Sequence, residues 1–304
     1  MMTTAESTAG ERPPKTGLSH RPSAFLHRHT HTRLAALLSA PLLWLVVIYL
    51  ASLALLFAAA FWQQDPFTSQ LVRQFTTDNV KEAFTNPAYR TVGVRTLVIA
   101  SSVTVLCLVL ALPVAFYAAK VAKPRGRRLL IVAFLVPLWA SYLVKAYAWR
   151  GILGENGVLD WALKPFGLSG PGFGQIAVII TLTYLWLPYM ILPIYASLDR
   201  LPNSLLEASG DLGGKSGRTF RSVVFPIILP GIAAGSIFTF SLSLGDYIAV
   251  RLVAPNFTVT GNQIYNNIAG GGNTPLGAAL ALISVLTITI YMLLVSRTGA
   301  LREL

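Results

Sequence analysis

Six stretches of this chain are each long and apolar enough to cross a bilayer, and no other feature restricts its fold so severely. They lie at 39–62, 94–119, 129–149, 175–197, 227–250 and 276–296. A helix needs roughly 20 apolar residues to span roughly 30 Å of hydrocarbon. No water is available there to satisfy backbone amides, so lone spanning segments must be helical. The expected fold is all-α, a polytopic membrane protein with six transmembrane helices. Pro41, Pro113, Pro137, Pro188, Pro193 and Pro230 fall within the spans. Each removes a helix hydrogen bond, so kinked or broken helices are expected.

The net charge of +12 raises the question of nucleic acid, but charged residues are only 12% of the chain against 54% hydrophobic. A nucleic-acid binder gathers its cations on a folded polar surface; here they lie between apolar spans, so the expected partner is membrane lipid and not nucleic acid. Lys and Arg in short loops tend to stay in the cytoplasm. They cluster before the first span (Arg12, Lys15, Arg21, Arg28, Arg33) and between the second and third (Lys120, Lys123, Arg125, Arg127, Arg128). Further groups follow the fourth span (Arg200, Lys215, Arg218, Arg221) and the sixth (Arg297, Arg302). That alternation puts both termini in the cytoplasm. Residues 1–38 read as a disordered basic tail, 39–297 as the transmembrane domain and 298–304 as a short cytoplasmic tail.

In the first tail His27, His29 and His31 alternate, but no carboxylate or Cys accompanies them, so a solvated segment is expected rather than a metal site. Cys107 is the single cysteine and lies in an apolar run, so no intrachain disulfide can form. In the outer segment 63–93, Leu71, Phe75, Val80 and Phe84 stand near helical spacing and predict a short surface helix. Packing over the helices and direct contact with a solute both remain open for it.

The segment 201–230 is polar and glycine-bearing between two apolar spans. Pro202 suits a first helical turn, and Leu205, Leu206, Ala208 and Leu212 form a stripe beside Ser204, Glu207 and Asp211, which describes a short amphipathic helix. Gly213, Gly214 and Gly217 permit a reversal. A second short helix over 218–225 is expected to end at Pro226. Gly214, Lys215 and Ser216 do not make a phosphate loop, because position 209 is Ser where the required glycine would stand.

Glu207-Ala208-Ser209, three residues, Gly213, nine residues, Val223, one residue, Phe225-Pro226 resembles the EAA loop of bacterial ABC importer permeases. Further blocks in order resemble the spermidine and putrescine branch of that family: TLVIASSVTVLCLVLALPVAFYAAK (96–120), VPLWASYLVKAYAWRGILGENGVL (136–159), YLWLPYMILPIYASL (184–198), VVFPIILPGIAAGSIFTF (223–240) and LGDYI (244–248). The resemblance implies the type I ABC importer permease fold in the bacterial inner membrane. It also implies a half-transporter paired with a second permease subunit as a heterodimer, two ATP-binding subunits and an extracytoplasmic solute-binding protein. Glu207, Ala208, Ser209, Asp211 and Gly213 would then be the ATPase-coupling residues. No catalytic residue and no bound cofactor are expected in this chain, ATP and Mg being used by the partner ATPase.

Asp246 lies near the outer end of the fifth span beside Tyr247. A carboxylate with an aromatic neighbour suits an ammonium group, as in a polyamine, although an Asp pairing helices would look the same. Tyr142, Trp149, Tyr184 and Trp186 are candidates to line the same route, and interfacial anchoring is the alternative. Lys145, Arg150 and Arg251 oppose a uniformly acidic vestibule and keep an opine, amino acid derivative or organophosphonate open. An ion-driven secondary transporter would show inverted repeats, which the sequence lacks; a membrane enzyme would need convergent polar groups, yet all four His residues lie in the tail.

Overall fold

The computed structural model describes residues 30–65 and 67–297, so residues 1–29 of the tail expected at 1–38, and the tail expected at 298–304, lie outside it. Thirteen α-helices account for most of the described residues, as hydrocarbon requires. The first, α1 (Thr30–Ala59), starts earlier than expected: 30–38 is helical, where Leu34, Ala35, Ala36, Leu37 and Leu38 are all strong helix formers. Its apolar part runs from Pro41 to Ala59. Trp44, Leu43 and Leu45 are exposed there alongside Leu42 and Leu50, the all-round apolar surface of a lipid-facing helix.

The remaining helices form a second unit. They are α2 (Asp78–Thr85), α3 (Pro87–Phe116, prolonged by a π turn Tyr117–Val121), α4 (Pro124–Trp139), α5 (Tyr142–Leu153) and α6 (Val158–Leu163). After these come α7 (Gln175–Arg200), α8 (Asn203–Asp211), α9 (Ser216–Thr219, then a π turn Phe220–Val224), α10 (Phe225–Gly245), α11 (Ile248–Val253), α12 (Thr260–Ile268) and α13 (Thr274–Arg297).

Five segments cross as single helical runs: 41–59, 87–121, 175–200, 216–245 and 274–297. The expected third span at 129–149 is instead a pair of helices bent by 94° at Ala140 and Ser141, α4 on one side and α5 with α6 on the other. Both residues at the bend are extended, with ψ of 140° and 133°. Pro137 weakens the last turn of α4, and its own carbonyl accepts from the Lys145 ammonium at 2.9 Å, which satisfies a group the break would otherwise orphan. The fifth span likewise stops at Gly245 rather than 250, because Asp246 turns the chain out of the helix with ψ 119°.

Helix α7 sits at the centre, packed on both α3 and α10, which also meet each other. Val103, Cys107 and Ala111 from α3, Leu182, Leu185, Met190 and Ile194 from α7 and Ile228 from α10 fill this core. Lipid is as apolar as leucine, so close backbone approach rather than the hydrophobic effect holds such helices together. Two glycines allow it: a Cβ on Gly231 would lie 2.5 Å from the Pro193 carbonyl oxygen and the Ser197 hydroxyl, and one on Gly235 would lie 2.7 Å from the Met190 sulfur.

The outer segment differs from its expected single helix. Leu71 and Phe75 belong to a short antiparallel ribbon, Gln63–Gln64 with Leu71–Val72, and to the link after it; only Val80 and Phe84 lie on a helix, α2. The ribbon turn is closed by the Asp65 carboxylate, which accepts from the backbone N–H groups of Thr68 and Phe67 at 2.9 and 2.8 Å, and these bonds hold that carboxyl below its ordinary pKa. Gln64 fastens the ribbon to the start of α13, donating to the Gly272 carbonyl at 3.3 Å and accepting from the Thr274 N–H at 3.0 Å.

Overpacking at the crossing of α7 and α10 provides a test. Gly231→Val should destabilise the protein in detergent by about 1–3 kcal/mol, read as a lower Tm by thermal unfolding. Gly93→Ala, where a Cβ meets nothing within 4 Å, should leave stability within about 1 kcal/mol of the wild type.

Candidate functional site

The two helix breaks face each other. Tyr142 is the first residue of α5, just after the bend, and Asp246 follows the last residue of α10. The Tyr142 hydroxyl reaches both Asp246 carboxylate oxygens, at 2.7 and 2.6 Å. The Ala249 N–H, an orphan donor in the first turn of α11, donates to the same carboxylate at 3.0 Å and to the Tyr142 oxygen at 3.1 Å. Eight residues further along α5, Arg150 donates to the Leu252 carbonyl at the end of α11 at 2.6 Å. The short helices after the two breaks are thus joined at both ends, and the donors and acceptors exposed by breaking a span are returned to partners.

Asp246 is 7% exposed, yet it borders an open cavity of about 290 Å³ that is also lined by Tyr142, Trp186, Ser241, Tyr247 and Ile248. Trp186 stacks on Tyr142 with ring centroids 6.0 Å apart, and its indole nitrogen is buried without a hydrogen-bond partner. Tyr247 stacks on Tyr265 of α12 at 4.9 Å. Four of the sequence-predicted pathway residues, Tyr142, Trp186, Asp246 and Tyr247, are therefore brought together. Trp149 and Tyr184 are not among them: they pair with each other at 5.3 Å, away from the cavity wall.

The cations that seemed to oppose an acidic site are occupied elsewhere. Lys145 holds the Pro137 carbonyl, Arg150 holds Leu252 and lies over the Phe173 ring, and Arg251 lies over the Tyr265 ring. Tyr189 and Phe238, which continue the aromatic series from Trp186 at 5.9 and 6.3 Å, were not anticipated. Their spacing on α7 and α10 carries no signal until the two helices are packed.

The second candidate region is the corner after α7. Glu207, Ala208 and Asp211 are exposed and Ser209 is half-buried on or at the end of α8, with Leu205 44% and Leu212 90% exposed beside them. Apolar side chains left that open on a short helix form a face without a partner among the described residues. Gly213 takes a left-handed φ of 75°, as expected of a helix C-terminus, and Ser209 and Thr219 share a 2.8 Å hydrogen bond across the turn. Pro226, in contrast, ends nothing. The backbone stays helical from Ser216 to Gly245 because the π turn before it routes the Phe225 N–H to the Phe220 carbonyl and accommodates the missing proline donor.

Two residues that the sequence reading counted only as loop charges meet this corner. Lys120, in the π turn of α3, donates to the Leu201 carbonyl and to the Asn203 side-chain oxygen, the latter at 3.3 Å. Arg127 of α4 pairs with Asp199, donates to the Tyr195 hydroxyl at 2.6 Å and lies over the Tyr195 ring.

Comparison with known proteins gives a consistent outcome. The family described as binding-protein-dependent transport system inner membrane component matches residues 104–298. The chain is 40% identical, over 95% of its length and 97% of the relative's, to the inner membrane ABC transporter permease protein YdcU of Escherichia coli K12. It is 32% identical to the spermidine/putrescine transport system permease protein PotB of Haemophilus influenzae, covering 79% of this chain and 84% of that one. Among solved structures, a chain of the bacterial ABC transporter that imports the acidic polysaccharide alginate superposes with a TM-score of 0.65 at 16% identity, over 91% of this chain and 98% of that one. At that identity the likeness speaks for the fold.

The hydroxyl of Tyr142 is the shared link between the breaks. Tyr142→Phe should therefore lower stability by about 1–3 kcal/mol, the cost of leaving a buried acceptor short of a donor, seen as a reduced Tm in detergent; an unchanged Tm would show that the link is not holding the breaks.

Proposed function

From the premise that this chain belongs to the binding-protein-dependent transport system inner membrane components, we propose that it forms half of the translocation path of an ATP-driven importer, carrying a polyamine such as spermidine or putrescine. Its membership makes it a multi-pass inner-membrane permease of the type I ABC importer fold and a transport component rather than an enzyme. The solute, the partners and the residue roles are the reading put forward here.

One observation carries the choice of solute. The cavity at the two helix breaks has a single charged residue in its wall, Asp246, set among Tyr142, Trp186 and Tyr247. A carboxylate and aromatic faces attract an ammonium group by Coulomb and cation–π terms, and the alkyl spacer of a polyamine suits apolar rings. None of the three nearby cations lies in the cavity wall, so among the lining residues Asp246 alone sets its charge. The names of relatives such as PotB agree with this choice.

The importer would contain a second permease subunit forming a heterodimer with this chain, two ATP-binding subunits that use ATP and Mg, and an extracytoplasmic solute-binding protein. The basic loops favour an orientation with both termini in the cytoplasm. The corner at Glu207, Ala208, Ser209, Asp211 and Gly213 would then face the cytoplasm and enter a groove on an ATP-binding subunit, as amphipathic helices commonly do. ATP binding would act by favouring one of the inward-open and outward-open states over the other.

Two outcomes are expected. Glu207→Arg should abolish copurification of this chain with its ATP-binding subunit while membrane insertion persists; solute transport by this chain alone would overturn the coupling role. Asp246→Asn should reduce uptake of labelled spermidine by the assembled complex by roughly tenfold or more, the size of one hydrogen bond to a charged group. Unchanged uptake would remove Asp246 from the route.

A further inference from the structure

The corner between α7 and α8 has little backbone stiffness of its own. Leu201 and Pro202 are both extended, with ψ of 117° and 137°, so no helical hydrogen-bond ladder runs from the spanning helix into the short one. A helix joined to its neighbour by two extended residues pivots unless side chains hold it. Leu201 is buried in the core and Leu206 packs on that core, and the polar contacts that direct the corner come from the preceding one, between α3 and α4. Lys120 places its ammonium on the Leu201 carbonyl, one of the acceptors left open where α7 ends, and on Asn203, the first residue of α8. Arg127 grips the last turns of α7 through Asp199 and Tyr195.

We infer that Lys120 and Arg127 are positioning residues that clamp the start of α8 to the ends of α3, α4 and α7, so that these elements move as one body when α8 is displaced. This rests on the coupling role proposed for α8. The clamp is geometric rather than a source of stability: the Arg127 and Asp199 side chains are 34% and 46% exposed, and an ion pair that open to solvent contributes little to folding. Three contacts on one guanidinium nevertheless fix its direction, since its donors form a rigid planar fork. Helix α3 packs along α7 in the core, and α7 carries Trp186 of the cavity wall, so the clamp joins the corner to one of the helices that line the cavity. Both cations also lie at the C-terminal end of α7, where the helix dipole favours positive charge.

The test uses the assembled complex with hydrolysis-deficient ATP-binding subunits, on a background in which Cys107 is replaced by Ala. Spin labels are attached at Ser204→Cys and Leu129→Cys, exposed positions on α8 and α4. In the otherwise wild-type chain, ATP binding should change the distance between the labels by no more than about 2 Å, the scale of a small helix shift. With Lys120→Met and Arg127→Gln together it should change by about 5 Å or more, one helical turn. The charge-swapped pair Arg127→Asp with Asp199→Arg should bring the change back toward the wild-type value, and it carries the test should the neutral variants fail to insert. An equal response in wild type and variants, or no recovery in the swapped pair, overturns the clamp while the coupling role stands. If the wild-type chain does not associate with an ATP-binding subunit at all, the coupling role falls and the clamp with it.

Discussion

Backbone groups freed inside hydrocarbon must find partners, and that requirement organises most of what is distinctive in this protein. Two of its spans are interrupted, one at Ala140 and Ser141 and one at Asp246 and Tyr247. Each interruption frees donors and acceptors that the helix no longer pairs. The solution is to bring the breaks together, so that Tyr142, Asp246 and Ala249 satisfy one another and Lys145 and Arg150 take the carbonyls of Pro137 and Leu252. The cavity that could receive a solute is a product of this arrangement: irregular backbone at depth leaves room, and the polar groups that stabilise it give the room its chemistry.

That origin reconciles the bonding of Asp246 with the solute contact proposed for it. A carboxylate has about four lone-pair sites, and Tyr142 and Ala249 do not exhaust them. Anchoring the start of α11 and meeting a cation are compatible. The aromatic neighbours are similarly shared, since Trp186 stacks on the tyrosine that holds the carboxylate and leaves its own indole N–H without an acceptor among the described residues.

How much of this was legible in the sequence depended on how local the determinant was. Span length and apolarity are local, and they located the membrane segments; the acid and aromatic residues at 142, 149, 184, 186, 246 and 247 were readable as candidates by type, but only packing separates the four at the cavity from the pair at 149 and 184. The break in the third span was less accessible. Pro137 announced a disturbance, but a kink becomes a 94° bend only when a cation such as Lys145 can cap the freed carbonyl, and that depends on the bend itself. Trp149 and Tyr184 have the composition of pathway residues and the geometry of a packing pair. Lys120 and Arg127 read as orienting charges because their partners lie some 70 or 80 residues away on another helix pair.

The π turn at Phe220–Val224 has a consequence for how the short helix before it is aimed. It holds one more residue than an α-helical turn needs, and adding or removing one residue rotates everything beyond it by about 100°. Loss of that residue would turn α9, with Arg218 and Thr219, around the axis of α10 and would strain the 2.8 Å hydrogen bond between Thr219 and Ser209 that ties α9 to α8. A single-residue deletion in this short stretch would thus re-aim α9 against α8 while the buried crossing of Gly231 and Pro193 stays as it is.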